Sequence, residues 1–513
     1  RNLWCGLCGL VLAGTVAAAP PPPVQAALAA AGVPQDALAY IVLPLDGRSG
    51  GDAWQERRAM QPGSTMKLVT SVVALDRLGP NHRGRTDLLS AAPLDGDVLR
   101  GDLVLRGGAD PELSTEKLWS LLRELRDQGI RHLAGDVVLD RSLFRPARSD
   151  LGLPRFDNAP EWAYNVIPDA LHLESGLTGL ELDARSGVMQ ARALPPLPGV
   201  RVDAQAMTLD DRPCTEWSAR WRTPQTEVAP DGNVTVRLEG VFPRGCQRRV
   251  ALQVMDRDLL AERTLRWLWL GMGGQWDGTV RPGVAPAGAR PLASRQARPW
   301  GELLRHLNKA SDNAWTRLLY LAMGAQAQAG AAGPAAVASG ADSAAARPPV
   351  ASPVPERTAD AAAALVRDWF TAHGIADDGL VMDNGSGLSR SERISPRQLA
   401  LMLRQALLGR HGPELLMSLP VAGTDGTMRN RLKGSPAEGV ARLKTGTLFD
   451  VRGLAGTVVD PQGRTWVLAA MVNHPRAAQG SFRALDALVD WVARGGLERA
   501  PGVAPADTAI GGP

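Results

Sequence analysis

Hydrophobic and polar positions follow two different patterns along this chain. Near both ends, apolar runs predict long buried elements: a strand at 39–45, a helix at 64–78 and two strands at 453–459 and 466–472. Between residue 87 and about residue 280, short apolar runs alternate with turn residues, which predicts β-rich structure. We therefore expect a mixed sheet built from both ends of the chain, with the middle of the chain inserted into it.

Helical periodicity accounts for most of the remaining apolar positions. It predicts helices at 300–308, 313–323, 359–373, 395–408 and 481–494. Two stretches have no periodicity: residues 324–355 are rich in Ala, Gly, Pro and Ser, and a short tail follows at 498–513. Both compositions can bury little apolar surface, so we expect a disordered loop and a disordered tail.

The length of the chain implies more than one domain. Single cores stop growing at roughly 250 to 300 residues, and this chain has 513 residues. The pattern predicts a discontinuous main domain made of residues 20–86 and 288–497. The inserted region, residues 87–287, is expected to form two nested β-rich domains. The predicted fold class is therefore mixed α/β with inserted accessory domains.

The first nineteen residues predict an export signal that is cleaved near Ala19. An apolar run at Leu3–Val16 is followed by the small residues Ala17–Ala19 and then by prolines. A membrane anchor is the alternative, but about 14 apolar residues are fewer than a membrane span requires. The mature protein is therefore expected outside the cytoplasm.

Charge and histidine content exclude several classes of partner. The net charge of +4 is small for this length, and basic residues are interspersed with acidic ones, so no nucleic-acid partner is expected. The slight basicity is compatible with peripheral contact with an anionic wall or membrane surface. No metal or cofactor is expected, because the chain has no H-E-x-x-H sequence and no His lies three or four residues from another.

Two cysteines, Cys214 and Cys246, lie beyond the predicted signal. A lone pair of cysteines in an exported protein predicts a disulfide bond, here within the inserted region. Two unrelated buried thiols are the alternative. Cys5 and Cys8 lie inside the signal, so we do not interpret their C-x-x-C spacing as a redox or zinc site.

The sequence Ser64-Thr-Met-Lys67 places a hydroxyl and an amine three residues apart at the start of a predicted helix. One helical turn separates them, so they share a face and approach hydrogen-bonding distance. A serine becomes a nucleophile when a base takes its proton, and Lys67 is a candidate base if burial lowers its pKa. The alternative is a helix-capping serine with a solvated lysine. Because the helix is apolar around most of its circumference, that lysine has little solvent to face.

Two further motifs carry polar groups. Ser311-Asp-Asn313 lies between two predicted helices and supplies a hydroxyl, a carboxylate and an amide, although it could simply cap the second helix. Lys444-Thr-Gly-Thr447 is predicted as a strand, in which both threonines lie on one face and the glycine permits close backbone approach. Two hydroxyls beside a lysine form a suitable carboxylate site, and an edge strand with a solvated lysine is the alternative.

The three motifs, in this order, resemble those of penicillin-binding proteins and class A β-lactamases. More closely, the chain resembles the low-molecular-mass class C penicillin-binding proteins, the D-Ala-D-Ala carboxypeptidase/endopeptidase family S13. The resemblance includes the 247 positions from Ser64 to Ser311, where β-lactamases have only a short helical domain. It also rests on the segments Gly101–Pro111, Asp383–Arg390 and Leu419–Gly426.

The resemblance implies a β-lactamase/transpeptidase-like main domain, in which an antiparallel sheet is flanked by helices. It implies a periplasmic enzyme that trims or un-crosslinks peptidoglycan stem peptides without a cofactor. β-Lactam antibiotics would be its covalent inhibitors.

The resemblance also implies roles for individual residues. Ser64 would attack the penultimate D-Ala carbonyl while Lys67 takes its proton. Ser311, assisted by Lys444, would relay a proton to the leaving amine, and Asn313 would bind the peptide backbone. The backbone N–H groups of Ser64 and Thr447 would form the oxyanion hole. Substrate contacts, including those to the terminal carboxylate, would come from Asp312, Thr445, Gly446, Thr447 and, in the insert, Asp157 and Tyr164.

Two other functions compete with this interpretation. A serine β-lactamase would use the same nucleophile, but the length of the chain and the long insertion oppose it. A non-catalytic peptidoglycan-binding protein with the same fold would be expected to have lost at least one motif. All three motifs are intact, so the sequence favours an enzyme.

Overall fold

The structure, a computed structural model, describes residues 19–331 and 355–498. The predicted export signal up to residue 18, most of the predicted loop (332–354) and the tail from residue 499 lie outside the described residues. The helices are α1 (Pro22–Ala30), α2 (Lys67–Arg77), α3 (Thr115–Asp127), α4 (Arg257–Gly271), α5 (Trp300–Ala310), α6 (Asn313–Ala331), α7 (Thr358–Ala372), α8 (Pro396–Leu408), α9 (Gly412–Ser418) and α10 (Phe482–Ala493).

The strands are β1 (Leu38–Pro44), β2 (Asp52–Trp54), β3 (Arg85–Ser90), β4 (Leu94–Asp95), β5 (Val98–Leu99), β6 (Leu103–Gly108), β7 (His132–Leu133), β8 (Val137–Asp140), β9 (Thr178–Asp183), β10 (Gln190–Ala193), β11 (Val200–Asp210), β12 (Gln225–Val228), β13 (Val234–Pro243), β14 (Gln247–Leu252), β15 (Gln275–Trp276), β16 (Val280–Gly283), β17 (Arg290–Gln296), β18 (Arg442–Leu448), β19 (Val451–Val459) and β20 (Thr465–Asn473).

The main domain is built on a five-stranded antiparallel sheet in the order β18-β19-β20-β1-β2. The two ends of the chain meet in it, since β1 pairs directly with β20. Alternate residues of β1 point to opposite faces: Tyr40 lies in the core shared with α1 and α10, and Ile41 in the core shared with α2 and α8. The predicted mixed fold, an antiparallel sheet flanked by helices, is confirmed.

The insert runs from β3 to β17 and contains two large hydrophobic cores, together with a small cluster of Leu89, Val104 and Val138. In the outer part, the sheet β16-β8-β6-β3-β17 packs with α3 and α4 around one core. In the inner part, two three-stranded sheets, β10-β9-β14 and β11-β13-β12, enclose the other core. Because β3 begins at Arg85 and pairs with β17, the insert extends beyond the predicted limits of 87 and 287.

Helices α3 and α4 are absent from the sequence-based prediction of a β-rich insert. The signal for α3 is nevertheless present, because Ser114 caps its first turn and its buried leucines recur at helical spacing. These leucines are Leu118, Leu121, Leu122 and Leu125. The short strands on either side obscured this helical signal.

The predicted disulfide bond joins Cys214 and Cys246, 32 residues apart, in the inner part of the insert. Cys246 is buried in the inner core. Across the described ranges, no helix has the length and apolar character that crossing a membrane requires.

Helix α6 corrects part of the predicted disordered loop. Residues 324–331 continue α6 without interruption, because alanine has the highest helix propensity and this segment is rich in it. The helix also packs closely on α7, where the Cβ of an alanine at Gly324 would lie 2.1 Å from the Thr358 carbonyl oxygen. The predicted tail at 498–513 also begins one residue too early, because Glu498 lies in the short 3-10 turn Gly496–Glu498.

Candidate active site

The three motifs converge on one cleft between the main domain and the insert. Its volume is about 480 Å³. It is lined by Gln61, Ser64, Phe156, Asp157, Tyr164, Ser311, Asn313, Leu388, Arg390, Thr427, Thr445, Thr447, Leu448, Phe449 and Asp450.

Ser64 lies on the floor of this cleft, in the 3-10 turn Gly63–Met66 that leads into α2. The α-helix itself begins at Lys67, three residues later than predicted. The 3-10 turn still places residues three apart on one side. As a result, Ser64 Oγ and Lys67 Nζ are 2.9 Å apart.

The Lys67 amine has three neighbouring oxygen atoms. Besides Ser64 Oγ, these are Asn313 Oδ1 at 2.6 Å and the Ser386 carbonyl oxygen. A neutral amine has two N–H groups and one lone pair. When Asn313 and Ser386 accept the two N–H groups, the lone pair faces the Ser64 hydroxyl. This arrangement suits a base that takes the serine proton.

Burial favours the neutral form of Lys67. Its side chain is fully buried, and this burial, together with the nearby Lys444 and Arg317, holds its pKa well below the ordinary range. Glu392 and Asp312 oppose the shift through their negative charges. The amine is therefore available as a base at a lower pH than a solvated lysine would be.

The second motif follows the end of α5. Ser311 adopts a left-handed backbone conformation, with φ of 59°, which ends α5 and turns its hydroxyl into the cleft. Asn313 begins α6, and its amide bridges the two sides of the cleft. Its oxygen accepts from Lys67 at 2.6 Å, and its Nδ2 donates to the Tyr164 carbonyl at 2.9 Å.

The third motif lies on the edge strand β18. Lys444 is fully buried, and its amine donates to Ser311 Oγ at 2.8 Å and to the Thr445 carbonyl at 2.9 Å. Burial lowers the pKa of Lys444 to about 7. Thr445 and Thr447 both line the cleft, as the strand prediction required.

Gly446 allows β18 to pack against the start of α2. A Cβ at this position would lie 2.3 Å from the Pro62 carbonyl oxygen and 3.2 Å from the Ser64 nitrogen. A side chain would therefore separate the strand from the turn that carries Ser64. The close approach brings the backbone N–H groups of Ser64 and Thr447 to the same part of the cleft.

Asp157 and Tyr164, from the insert, form the opposite wall. The Tyr164 hydroxyl donates to Asp157 Oδ2 at 2.8 Å. Partial burial works against ionisation of Asp157, but hydrogen bonds from Tyr164 and from the Ala159 backbone hold its pKa below the usual range. Burial and this carboxylate raise the pKa of Tyr164 to about 12. A negative charge therefore faces the cleft from the insert.

Asp312 has a structural role besides its predicted contact with substrate. Its carboxylate accepts from the Trp315 backbone nitrogen at 2.9 Å and thus caps the first turn of α6. It is not among the described residues that line the cleft. The structure shows Asp312 as a helix cap, and its direct contact with substrate stays a prediction.

Several residues of the site carried no individual prediction. Thr427 accepts a hydrogen bond from Thr445 Oγ1 at 2.8 Å. Arg390 donates to the Phe156 carbonyl at 3.0 Å and lies over the Phe156 ring. No sequence spacing linked these pairs, because each joins segments that are distant along the chain.

Glu392 is the least expected of these residues. It is completely buried, and its carboxylate accepts from the backbone nitrogens of Asn384, Gly385 and Gly387 at 3.0, 2.7 and 2.8 Å. It therefore fixes the loop whose Ser386 carbonyl accepts from Lys67. The Gly-rich loop sequence was visible beforehand, but its internal carboxylate was not.

Comparison with known proteins agrees with this geometry. A family model described as the D-Ala-D-Ala carboxypeptidase 3 (S13) family matches residues 23–347 and 350–494. The chain belongs to the S13 family. The resemblance inferred from the motifs is therefore confirmed.

Relatives within the S13 family share most of the chain. It is 28% identical over 471 residues to the D-alanyl-D-alanine carboxypeptidase of Actinomadura sp. (strain R39), covering 88% of this chain and 79% of the relative. It is 26% identical over 421 residues to the D-alanyl-D-alanine carboxypeptidase DacB of Haemophilus influenzae, covering 81% and 80%. The fold is similar to the crystal structure of penicillin-binding protein 4 (dacB) from H. influenzae, with a TM-score of 0.71, 23% identity, and coverage of 90% of this chain and 98% of that one.

Proposed function

We propose that this S13-family chain is a serine-type D-Ala-D-Ala carboxypeptidase and endopeptidase that forms an acyl-enzyme on Ser64. The observation that carries the proposal is the 2.9 Å pairing of Ser64 Oγ with a completely buried amine. Two relatives named as D-alanyl-D-alanine carboxypeptidases support the substrate class.

Acylation begins with neutral Lys67. The amine takes the Ser64 proton while Oγ attacks the carbonyl carbon of the penultimate D-Ala. The backbone N–H groups of Ser64 and Thr447 receive the developing oxyanion, and each such donor typically contributes about 3 to 4 kcal/mol to transition-state stabilisation. The C–N bond then breaks, and Ser311 delivers a proton to the departing amine, with Lys444 supplying charge and orientation.

Different parts of the substrate are recognised at the two ends and in the middle of the cleft. At one end, Thr445, Thr447 and Lys444 hold the terminal carboxylate. In the middle, Asn313 pairs with the peptide backbone. At the other end, Asp157 and Tyr164 contact the side chain that precedes the D-Ala pair, where a negative carboxylate suits a cationic or amine-bearing group.

Water completes the cycle by attacking the acyl-enzyme after the leaving group has gone. A free D-Ala diffuses out of the cleft and makes room for water. An opened β-lactam keeps its amine tethered beside Ser64, so water attack is hindered and the acyl-enzyme persists. A solved relative with 22% identity and a TM-score of 0.67 has been described in complex with a β-lactam, which supports β-lactams as inhibitors.

Endopeptidase activity and cellular location follow from the same substrate. The open cleft accepts either a terminal D-Ala or a cross-linked strand as the leaving group. The substrate is peptidoglycan, so the enzyme acts in the periplasm after removal of the export signal near Ala19, with peripheral contact with the wall or membrane. Incubation with a pentapeptide and with a cross-linked muropeptide should release D-Ala and separated strands, respectively.

The decisive test is penicillin labelling followed by intact-protein mass spectrometry. We expect one long-lived adduct on the peptide that contains Ser64, and none on Ser64→Ala. Lys67→Ala should slow acylation by about 10²- to 10⁴-fold, because the serine loses its base. Ser142→Ala, an exposed serine of the insert, is the matched control and should label normally.

Three outcomes would contradict the proposal. An adduct that forms normally on Ser64→Ala would reject the nucleophile. Rapid penicillin turnover would instead favour the serine β-lactamase, and a native protein that neither labels nor cleaves would favour a non-catalytic wall-binding protein.

A further inference from the structure

A second and larger cleft opens beside the active-site cleft. Its volume is about 940 Å³, within the size range typical of ligand sites. It lies between residues 145–168 of the insert, the start of α7 and the loop 383–391. Phe156, Leu388 and Arg390 line both clefts, so the two are adjacent and share a wall.

Hydrogen bonds fix the walls of this second cleft. The Arg145 backbone nitrogen donates to Thr358 Oγ1 at 2.8 Å, and the Thr358 nitrogen donates back to the Arg145 carbonyl at 2.9 Å. On the floor, the buried Arg317 guanidinium donates to the Val166 carbonyl at 2.8 Å and to the Leu388 carbonyl at 3.3 Å. The insert and the main domain are thus held together around a preformed space.

The lining of the cleft has an excess of available positive charge. Arg145, Arg155 and Arg357 line it with exposed side chains. Within the described part of the chain, many exposed arginines form ion pairs, whereas none of these three has a carboxylate within 4 Å. We name Arg145, Arg155 and Arg357 the arginine cluster.

Three acidic residues line the cleft, and two of them are already engaged; the third, Asp383, is exposed and accepts a hydrogen bond from Asn384 Nδ2 at 3.3 Å. Asp150 forms an ion pair with Arg148 at 2.8 Å. Glu161 is 3% exposed and accepts from the Thr223 hydroxyl at 3.1 Å. None of the three carboxylates lies within 4 Å of the arginine cluster in the described residues, and five arginines line the same cleft. The cleft is therefore suited to a ligand that brings its own carboxylates.

The orientation of the bound substrate, which rests on the proposed function, predicts that its upstream part reaches the second cleft. With the terminal carboxylate at Thr445 and the scissile carbonyl at Ser64, the peptide upstream of the D-Ala pair leads away from β18. In the proposed binding mode it leaves the active-site cleft at the wall formed by Asp157 and Tyr164, where the neighbouring Phe156 lines both clefts. The second cleft begins on the other side of that wall.

We propose that the second cleft binds the anionic upstream part of the stem peptide, and that the arginine cluster recognises a carboxylate there. A free α-carboxylate on a γ-linked glutamate has the required chemistry. Binding energy from this remote segment would increase kcat/KM for long substrates and leave small substrates and β-lactams unaffected.

The test compares two matched substrates. One is an L-Ala-γ-D-Glu-L-Lys-D-Ala-D-Ala peptide, and the other is the same peptide with γ-D-isoglutamine, which removes only the charge. We expect the native enzyme to prefer the glutamate peptide in kcat/KM by about three- to tenfold at low salt. The double variant Arg155→Gln/Arg357→Gln should lose this preference, and salt should reduce it in the native enzyme.

Controls separate this proposal from the function on which it rests. Arg290→Gln changes an exposed arginine on β17 and should keep the preference. An N-acetylated L-Lys-D-Ala-D-Ala tripeptide and penicillin should react equally well with every variant. Equal turnover of the two long peptides, or a preference that survives in the double variant, would overturn the role of the second cleft alone. Failure of the native protein to react with penicillin would overturn the proposed function itself.

Discussion

At the scale of single residues, the charge state of Lys67 controls the proposed chemistry. Its ammonium form is disfavoured by burial and by two neighbouring cations, and it is favoured by the buried Glu392. Since only the neutral amine acts as a base, acylation should accelerate as the pH rises through the lowered pKa of Lys67. Any change in the surrounding charges should move that rise along the pH axis.

Glu392→Gln tests this control. Loss of the negative charge removes a contribution that raises the pKa of Lys67, so that pKa falls further and the acidic limb of the penicillin acylation profile moves to lower pH. We expect a shift of about half to one pH unit. The plateau rate should also fall, because an amide oxygen replaces a carboxylate that accepts several backbone N–H groups.

Asp486→Asn is the control for replacing a partly buried carboxylate. Asp486 lies on α10, pairs with Arg431 at 2.7 Å, and is separated from the cleft by the main sheet. Its acylation profile should keep the native midpoint. A Glu392→Gln profile with a lower plateau and an unchanged midpoint would show that Glu392 acts only by holding the loop.

Thr427→Val tests the carboxylate end of the cleft. The hydroxyls of Thr427 and Thr445 pair at 2.8 Å. When a substrate carboxylate accepts the Thr445 proton, Thr427 can donate to Thr445 Oγ1 in turn, so the valine variant loses the donor that orients Thr445 toward the carboxylate. One such hydrogen bond is worth about 1 kcal/mol, which corresponds to a roughly fivefold higher KM for a D-Ala-D-Ala peptide. Thr424→Val, at an exposed threonine nearby, should have no effect. A loss in kcat with unchanged KM would place Thr427 in the chemical step instead.

Some site residues could be identified from the sequence and others could not. Ser64, Lys67 and the Lys444 strand were identifiable because each motif spans only a few positions. Glu392 and Thr427 were not identifiable in this way. Glu392 bonds to a loop only 5 to 8 positions away, but its effect on Lys67 depends on how the fold brings that loop to α2, and Thr427 acts through Thr445, 18 positions away. Asp312 shows a related limit, because sequence spacing does not show whether a carboxylate points into a cleft or caps a helix.

At the scale of elements, the packing of α6 on α7 explains why residues 324–331 are helical rather than part of a disordered loop. Continuous apolar strands such as β1 and β20 were predicted within two residues of their observed limits, because burial on both faces leaves a distinct pattern. The Ala-rich end of α6 has no such pattern. Its helical state depends on intrinsic propensity and on close contact with α7.

Gly324→Ala separates these two contributions. Alanine favours a helix by about 1 kcal/mol over glycine, but here its Cβ would lie 2.1 Å from the Thr358 carbonyl and 3.0 Å from the Ala362 nitrogen. Overpacking typically costs about 1 to 3 kcal/mol, so we expect net destabilisation in urea unfolding. Gly330→Ala, in the same helix with nothing within 4 Å of its Cβ, should stabilise. A stabilising Gly324→Ala would show that α7 moves away at little cost.

At the scale of the whole molecule, the insert and the main domain each have large cores of their own. They share the active-site cleft and one small cluster, in which Ala109, Phe144 and Ala170 of the insert pack against α6. The sequence predicted the insertion, because the apolar pattern changes at both of its borders. The wall formed by Asp157 and Tyr164 was implied only by resemblance to the S13 family. The adjacent second cleft could not be predicted, since its lining comes from segments spread over more than 200 positions.

Removal of the disulfide bond tests whether the insert and the main domain unfold independently. Cys214–Cys246 closes a loop with a sequence separation of 32 residues, and the chain-entropy account gives it about 3 to 4 kcal/mol of stability. Its neighbours Val236, Phe242 and Leu180 belong to the inner core of the insert and not to the cores around the main sheet. Reduction should therefore lower hydrogen-exchange protection in β9–β14 first, as a local opening.

Penicillin labelling at 25 °C should survive that local opening, because α2, α5 and β18 lie in the main domain. The variant Cys214→Ser/Cys246→Ser should reproduce the loss of protection and should show no further change when reductant is added. If labelling falls in parallel with protection in β9–β14, the inner core supports the wall formed by Asp157 and Tyr164. In that case the insert and the main domain unfold as one cooperative unit, and their separate cores do not confer separate stability.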